Sequence, residues 1–422
     1  MTHPGPREGG LPGVGDPRST RLVTWTLTVS AGLFLGYQVG AVIVPYYTAA
    51  ERLGDLVAGL TTGVFMIAAT VPPLVLAPAL LRWGVGRWLV VSAVLLGPPT
   101  LMYLPWRSAW GVVTLSAVRG VGFGLAALAT GAIVALLAGA GRQGGTLGLY
   151  GLVTSLTALV GQAGGLWFQH LAGFRATFVV VTALPLLAGL AVVPLLRAEP
   201  RIRASAGANV PVRARPTWTP LVLAPMWGFG CVAAIYGGLV TFAPGYLHAR
   251  SSVVEVAFFV AVSTAVPTAR LVAGVALDRG APPRSMITAG LLLVAAGMVL
   301  LARPPVQGLA VVGGLLFGVG FGALATQAHV ALVRSGDASR VPMATALFGG
   351  AWNAGMAVGG VVFGPVVGSV GAAAAFLLAP LLCVAAAVAT PAWTVALRGR
   401  GAATPRGLSL ARARNPLDDQ GG

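Results

Sequence analysis

The chain is 422 residues long, 56% hydrophobic and only 9% charged, with a mean hydropathy of +0.86 and a formal charge of +17. Such an apolar excess excludes an ordinary soluble domain. The positive charge does not indicate nucleic-acid binding, because the basic residues are scattered at the ends of apolar runs, with no aromatic-interleaved basic surface and no motif for bases or phosphates.

A membrane-crossing helix needs about 20 mostly apolar residues. The first twenty residues are polar, carry Glu8 and Asp16, and lead to no small-residue cleavage site. The first apolar run, Leu22 to Ala50, therefore reads as a retained span and not as a signal peptide. Uncharged runs follow at Leu56 to Leu81, Trp88 to Trp106, Ala176 to Leu196, Pro216 to Leu247 and Ser285 to Ala302. No charge lies between Arg340 and Arg398, a stretch long enough for two spans joined by "GSVGA". In order, the runs predict twelve helices starting near residues 22, 56, 88, 109, 145, 176, 219, 254, 285, 307, 343 and 372. Helix is the economical backbone, since lipid offers no partner for peptide groups and the alternation of a barrel strand is absent. Abundant Gly and Ala let such helices approach closely; Gly161 and Gly165 form one small-xxx-small pair, read as packing. Cys231 and Cys383 fall in the seventh and twelfth predicted helices and read as small buried residues, implying no disulfide or metal.

The fold expected is an all-α membrane protein, with twelve transmembrane helices in two pseudo-symmetric six-helix bundles. Residues 1–21 form a cytoplasmic N-terminal segment, 22–196 the first bundle, 197–218 a basic cytoplasmic linker, 219–397 the second bundle and 398–422 a cytoplasmic tail. All 27 basic residues are arginine. With both termini inside, only Arg52, Arg107, Arg175, Arg250 and Arg303 fall in outer loops, and Arg119 and Arg270 fall within spans. The rest lie on the cytoplasmic side, as positive-inside bias requires. Lysine-free usage rich in Ala, Gly, Val, Arg and Pro points to a GC-rich bacterial source.

"RGVGFG" (Arg119 to Gly124) in the fourth helix recurs as "FGVGFG" (Phe317 to Gly322) in the tenth, 198 positions on. "ATGAIVAL" from Ala129 likewise answers "ATQAHVAL" from Ala325, and "LYG" from Leu149 answers "LFG" from Leu347. Parallel halves of this kind are a transporter architecture, with substrate bound between them near the midplane.

Arg119 lies about ten residues into its helix, roughly 15 Å from the outer end, too deep for easy snorkelling. A charge there needs an aqueous cavity or a partner. It reads as a substrate-anion or proton-coupling residue, or else as a structural arginine bonded to backbone carbonyls. Arg270 faces the cavity or snorkels to the inner surface. His329, near the inner end of the tenth helix, is pH-sensitive or interfacial. Tyr37, Gln38, Gln162, Trp227, Tyr236, Trp352 and Asn353 stand near mid-depth as candidate lining residues, suited to an amphipathic, neutral or anionic organic molecule. No Asp or Glu falls inside a predicted span, and Glu51, Asp55 and Glu255 sit near the outer face. With His329 the one histidine expected in the spans, no nucleophile-base pair or metal cluster is expected, and the chain does not read as an enzyme.

Three stretches carry a resemblance to the major facilitator superfamily that covers nearly the whole chain. "LSAVRGVGFG" (Leu115 to Gly124) is similar to that family's fourth-helix arginine with its glycine-rich face. "GVALDRGAPPR" (Gly274 to Arg284) resembles its cytoplasmic signature. "AVIVPYY", an acid-containing loop and "DLVAGLTTGVF" look like the first hairpin of its drug-exporter branches. The resemblance implies rocking of two halves about a central site and a cytoplasmic gate at Arg87, Gly274, Asp278 and Arg279. Two departures stand out. "LLRWGVGRW" (Leu80 to Trp88) puts Trp83 where the first signature copy has aspartate, leaving Asp278 as the one latch acid, and "GQAGG" (Gly161 to Gly165) lacks the exporter pattern's proline. The function expected is proton-coupled efflux of a small organic compound by a monomer in a bacterial cell membrane, without cofactor or metal. Uptake of a small metabolite is the alternative.

Overall fold

The computed structural model describes residues 17–76, 79–137, 143–200, 202, 219–303, 307–335 and 341–398; most of the expected N-terminal segment (1–21), of the linker (197–218) and of the tail (398–422) lies outside them. Among the described residues all regular structure is helical. The elements are α1 (Pro17–Ala50), α2 (Asp55–Val75), α3 (Leu80–Trp83), α4 (Val85–Leu96), α5 (Pro99–Met102), α6 (Ala109–Leu137), α7 (Gln143–Leu190), α8 (Val193–Arg197), α9 (Pro220–His248), α10 (Ser252–Asp278), α11 (Pro283–Ala302), α12 (Gln307–Arg334), α13 (Val341–Phe376), α14 (Ala379–Ala387) and α15 (Thr390–Arg398). Ten helices among the described residues are long and apolar enough to cross a membrane, and α14 with α15 forms one further candidate bent by 50°.

Two elements are longer than one crossing requires. α7 has 48 residues, about 72 Å of helix, but Gly173 inside it has φ 75° and ψ 173°. Before that break α7 runs parallel to α1, with Gly161 against Gln38 and Gly165 against Val39. After it the direction reverses, with Val181 and Pro185 against Gly36 and Ala188 against Gly32. α13 repeats the device at Gly371, φ 83° and ψ 161°, 198 residues later. Gly355 and Gly359 follow Gly230 and Ala234 upward along α9, whereas Trp393 returns to Gly228. Only glycine takes such positive-φ geometry without strain, so both hairpins turn at glycine. The expected packing role of Gly161 and Gly165 is what the contacts show.

The repeated glycines explain the repeated phrase. In α6, a methyl on Gly120 or Gly124 would strike the carbonyl oxygens of Phe65 and Ala69 on α2. One on Gly122 would lie 2.9 Å from Leu95 Cβ and from the Leu96 nitrogen on α4. In α12, Gly318 and Gly322 meet Val262 and Val266 on α10, and Gly320 meets Leu293 and Val294 on α11. Each half is thus held by three glycines that bring two neighbouring backbones against a central helix.

Between the halves, α2 packs on α13, α7 on α10 and α1 on α9. Chain order places the α1–α2, α9–α10 and α7 turns at one end of the bundle, called here the distal face. The first residues of α1 and the last of α15 lie at the other, the terminal face. Cys231 and Cys383 are buried, as expected, and carry free thiols.

Candidate solute pathway and gates

The polar centre is built from three helices of both halves. Gln162 on α7 donates from Nε2 to Gln38 Oε1 on α1 at 3.1 Å and to the Tyr236 hydroxyl on α9 at 2.8 Å. Tyr236 Oη lies 3.3 Å from Gln162 Oε1 and can return the bond. Gln162 is fully buried, so these bonds replace water that it has lost. The Tyr236 ring lies nearly parallel to Phe321 (5.1 Å, 9°) and Phe317 (6.1 Å, 11°), and Trp352 tilts against it at 5.3 Å. In the first half, Tyr37 stacks on Phe123 at 4.0 Å and on Phe65 at 5.4 Å. Asn353 and Arg270 are half-buried on the second half. His329 stacks on Phe348 at 4.7 Å.

Arg119 is buried to 2% exposure. Its Nε donates to Leu96 O at 3.3 Å, and its guanidinium stands 5.9 Å from the Phe65 ring and 5.8 Å from the Tyr103 ring. That carbonyl bond is the one expected of a structural arginine, yet Nη2 has no hydrogen-bond partner among the described residues. Beside it lies a cavity of about 20 Å³, bordered by Tyr37, Thr61, Ser116 and Met356, with room for one water and not for an organic solute. Trp227 stands apart from these groups. It is 61% exposed, and its Nε1 donates to Ala385 O on α14 at 3.2 Å.

Toward the distal face the halves are in close contact. A methyl on Gly59 would strike Gly360 O, one on Gly63 would lie 2.5 Å from Val361, and one on Gly364 would lie 2.9 Å from Asp55 O. Thr62 and Thr241 hydroxyls meet at 2.8 Å. At the rim, His170 Nε2 and His248 Nδ1 lie 2.9 and 3.2 Å from Glu255 Oε2. Ser251 caps α10 by accepting from Val254 N–H at 3.4 Å, and Glu255 follows in the first turn, where the helix dipole favours an acid. This cluster corrects the sequence expectation. α7 stays helical to Gly173 and α9 reaches His248, so two further histidines and a fully buried Glu255 lie within apolar helices.

Toward the terminal face, methyls built at Gly131, Gly151, Gly349 and Gly350 would meet nothing within 4 Å. Arg87, Asp278 and Arg279 are exposed there, Gly274 is half-buried, and Arg87 donates within its own turn to Trp83 O at 3.4 Å.

The family profile of the Major Facilitator Superfamily matches residues 26–281. The chain belongs to this superfamily. No protein of curated function matches its sequence. A crystal structure of the nucleoside transporter NupG, as a D323A mutant, superposes with a TM-score of 0.69 at 14% identity, over 88% of this chain and 99% of that one. A bacterial homologue of the human lysosomal transporter Spinster, inward-facing and unoccupied, superposes with a TM-score of 0.64 at 14% identity, over 91% and 98%. At such identity these similarities establish the major facilitator fold alone. Together with the ten apolar helices, the family makes this a multi-pass membrane protein.

A further acid stands near Trp83, where the resemblance leads one to expect an aspartate: the carboxylate of Glu199 accepts from Val85 N–H at 2.9 Å and Gly86 N–H at 3.1 Å, at the start of α4. Glu199 thus stands beside Asp278 as a second acid at the terminal face. Glu199 lies more than 110 residues from its partners, and no local spacing announces it.

Proposed function

We propose that the chain is a secondary transporter that carries a small organic solute across a cell membrane by alternating access. Residues 22–196 and 219–397 are two six-helix bundles joined by 197–218. The breaks at Gly173 and Gly371 support a reading of twelve crossings, taken with the terminal face cytoplasmic and the distal face outside. The observation that carries the reading is the hydrogen bonding of Gln162 to Tyr236 and Gln38, which joins the halves at mid-depth. Contact of the halves from that level to the distal rim supports a state shut outside and open inside. Solute is taken up against Gln38, Gln162 and Tyr236, on the ring shelf of Phe321 and Trp352. Tyr37, Asn353 and Arg270 line the path, and Arg119 responds to solute or coupling charge. Trp227 borders lipid. Arg87, Gly274, Asp278 and Arg279 form the inner gate, joined by Glu199.

Efflux in exchange for protons by a monomer is the first reading, supported by the likeness of the first hairpin to drug exporters. Uptake is the second, favoured by the near-parallel rings around Tyr236. They suit a flat heteroaromatic solute such as the nucleoside named for NupG. Growth of an efflux-deficient bacterial host on a panel of toxic compounds, with wild type, Gln162→Ala or empty vector, tests this. Resistance with wild type only, abolished by a protonophore, supports proton-coupled export. Sensitisation by the wild type to toxic nucleoside analogues supports uptake. No difference from vector for either compound class, at verified membrane expression, argues against both.

A further inference from the structure

The distal cluster is richer than a latch requires. His170 belongs to α7 of the first half, His248 to the end of α9 and Glu255 to the start of α10 in the second. The two imidazoles lie face to face, 4.7 Å between centroids and 12° from parallel, and both turn a ring nitrogen toward one carboxylate oxygen. Their ligand-capable atoms all fall within 4.8 Å of one another. Three ligands around a zinc ion at 2.0–2.1 Å stand about 3.3 Å apart, and two of these separations are 2.9 and 3.2 Å. The second observation is the other oxygen. Glu255 is fully buried, and its Oε1 has no hydrogen-bond partner among the described residues. A buried carboxylate so under-bonded is an acceptor for a cation. The His248 side chain remains 42% exposed, giving access from the distal solvent.

We propose that His170, His248 and Glu255 form a site for a borderline divalent transition metal such as Zn²⁺, with water completing its coordination. Two nitrogens and one oxygen suit zinc better than magnesium or calcium, which prefer oxygen ligands. Because the first half contributes one ligand and the second two, the full set exists only while the distal gate is shut. The ion binds that state preferentially and holds the gate closed.

Calorimetric titration of Zn²⁺ into the purified full chain in detergent tests the proposal, with Mg²⁺ as control. One saturable zinc site per chain is expected, weakened at least tenfold in His170→Ala, His248→Ala and Glu255→Gln, with no comparable magnesium binding. Zinc should raise the melting temperature of wild type but not of Glu255→Gln. Absence of saturable zinc binding in the wild type overturns the proposal without any variant. So does binding that monodisperse variants retain in full, or that magnesium matches. The readout needs no transported solute, so its failure leaves the transport reading intact, and a failure of transport leaves zinc binding intact.

Discussion

Gln162 Nε2 donates to the Tyr236 hydroxyl at 2.8 Å, so a buried amide of one half is satisfied by a phenol of the other. Any motion that parts the halves at this depth must break that bond or hand it to a solute. Tyr236→Phe keeps the ring against Phe321 and removes only the hydroxyl. The net value of such a bond is about 0.5–1.5 kcal/mol. Tyr236→Phe should therefore change the apparent solute affinity by about two- to tenfold, whereas Gln162→Ala, which also leaves Gln38 unpaired, should change it more. Transport titrated in proteoliposomes distinguishes the two, and equal wild-type-like affinities would remove this node from the pathway.

Arg119 should matter to transport and not to stability. Its counterpart 198 positions on is Phe317, so the fold accepts an apolar side chain there. Replacing an under-bonded buried charge by an apolar group of similar volume is often neutral or stabilising. Arg119→Met should lose transport while its melting temperature in detergent holds or rises. A large drop in melting temperature would instead assign the guanidinium to holding Leu96 O.

The three-glycine contacts predict matched damage in both halves. Gly120→Ala and Gly322→Ala each force a methyl onto a backbone carbonyl, Phe65 O in one case and Val266 O in the other. Overpacking of this kind costs about 1–3 kcal/mol. Gly151→Ala, with open space around it, should be nearly neutral. Thermal unfolding of the three variants in one detergent makes the comparison.

The seam between α2 and α13 offers a way to bias the gate. Gly59 and Gly63 face Gly360 and Gly364 so closely that a larger residue cannot fit while the distal face is shut. Gly59→Leu should populate the state open at the distal side. A cysteine at Thr62 or Thr241, positions buried at this seam while the distal face is shut, should then react with a membrane-impermeant maleimide. Unchanged labelling would mean that the seam does not set the equilibrium.

The helices and the duplication were legible because an apolar run of spanning length and a repeated pentapeptide need no tertiary information. Which face of a helix meets lipid was not. Lipid and protein interior are both apolar, so Trp227 and Trp352 look alike in sequence although one is 61% exposed and the other tilts against Tyr236. The His170–His248–Glu255 cluster was hidden for another reason. Counting about 20 residues per span puts His170 beyond its helix, whereas the helix continues to the turn at Gly173, and its partners stand 78 and 85 residues away. Glu199 was missed likewise, since a helix start can be capped from any distance in the chain.

The 198-residue spacing that relates Gly120 to Gly318, Gly122 to Gly320 and Gly173 to Gly371 gives the protein an internal control. Positions alike under this shift answer to architecture, which both halves share. Those that differ are where one half has been given chemistry that the other lacks. Arg119 stands against Phe317, Gln162 against Gly360 and His170 against Gly368, while Gln38 and Tyr236 are counterparts that now meet at the same amide. Subtracting one half from the other thus turns a repeated membrane scaffold into a short map of its asymmetries, and mutating counterparts in pairs separates a functional loss from a folding one within a single molecule.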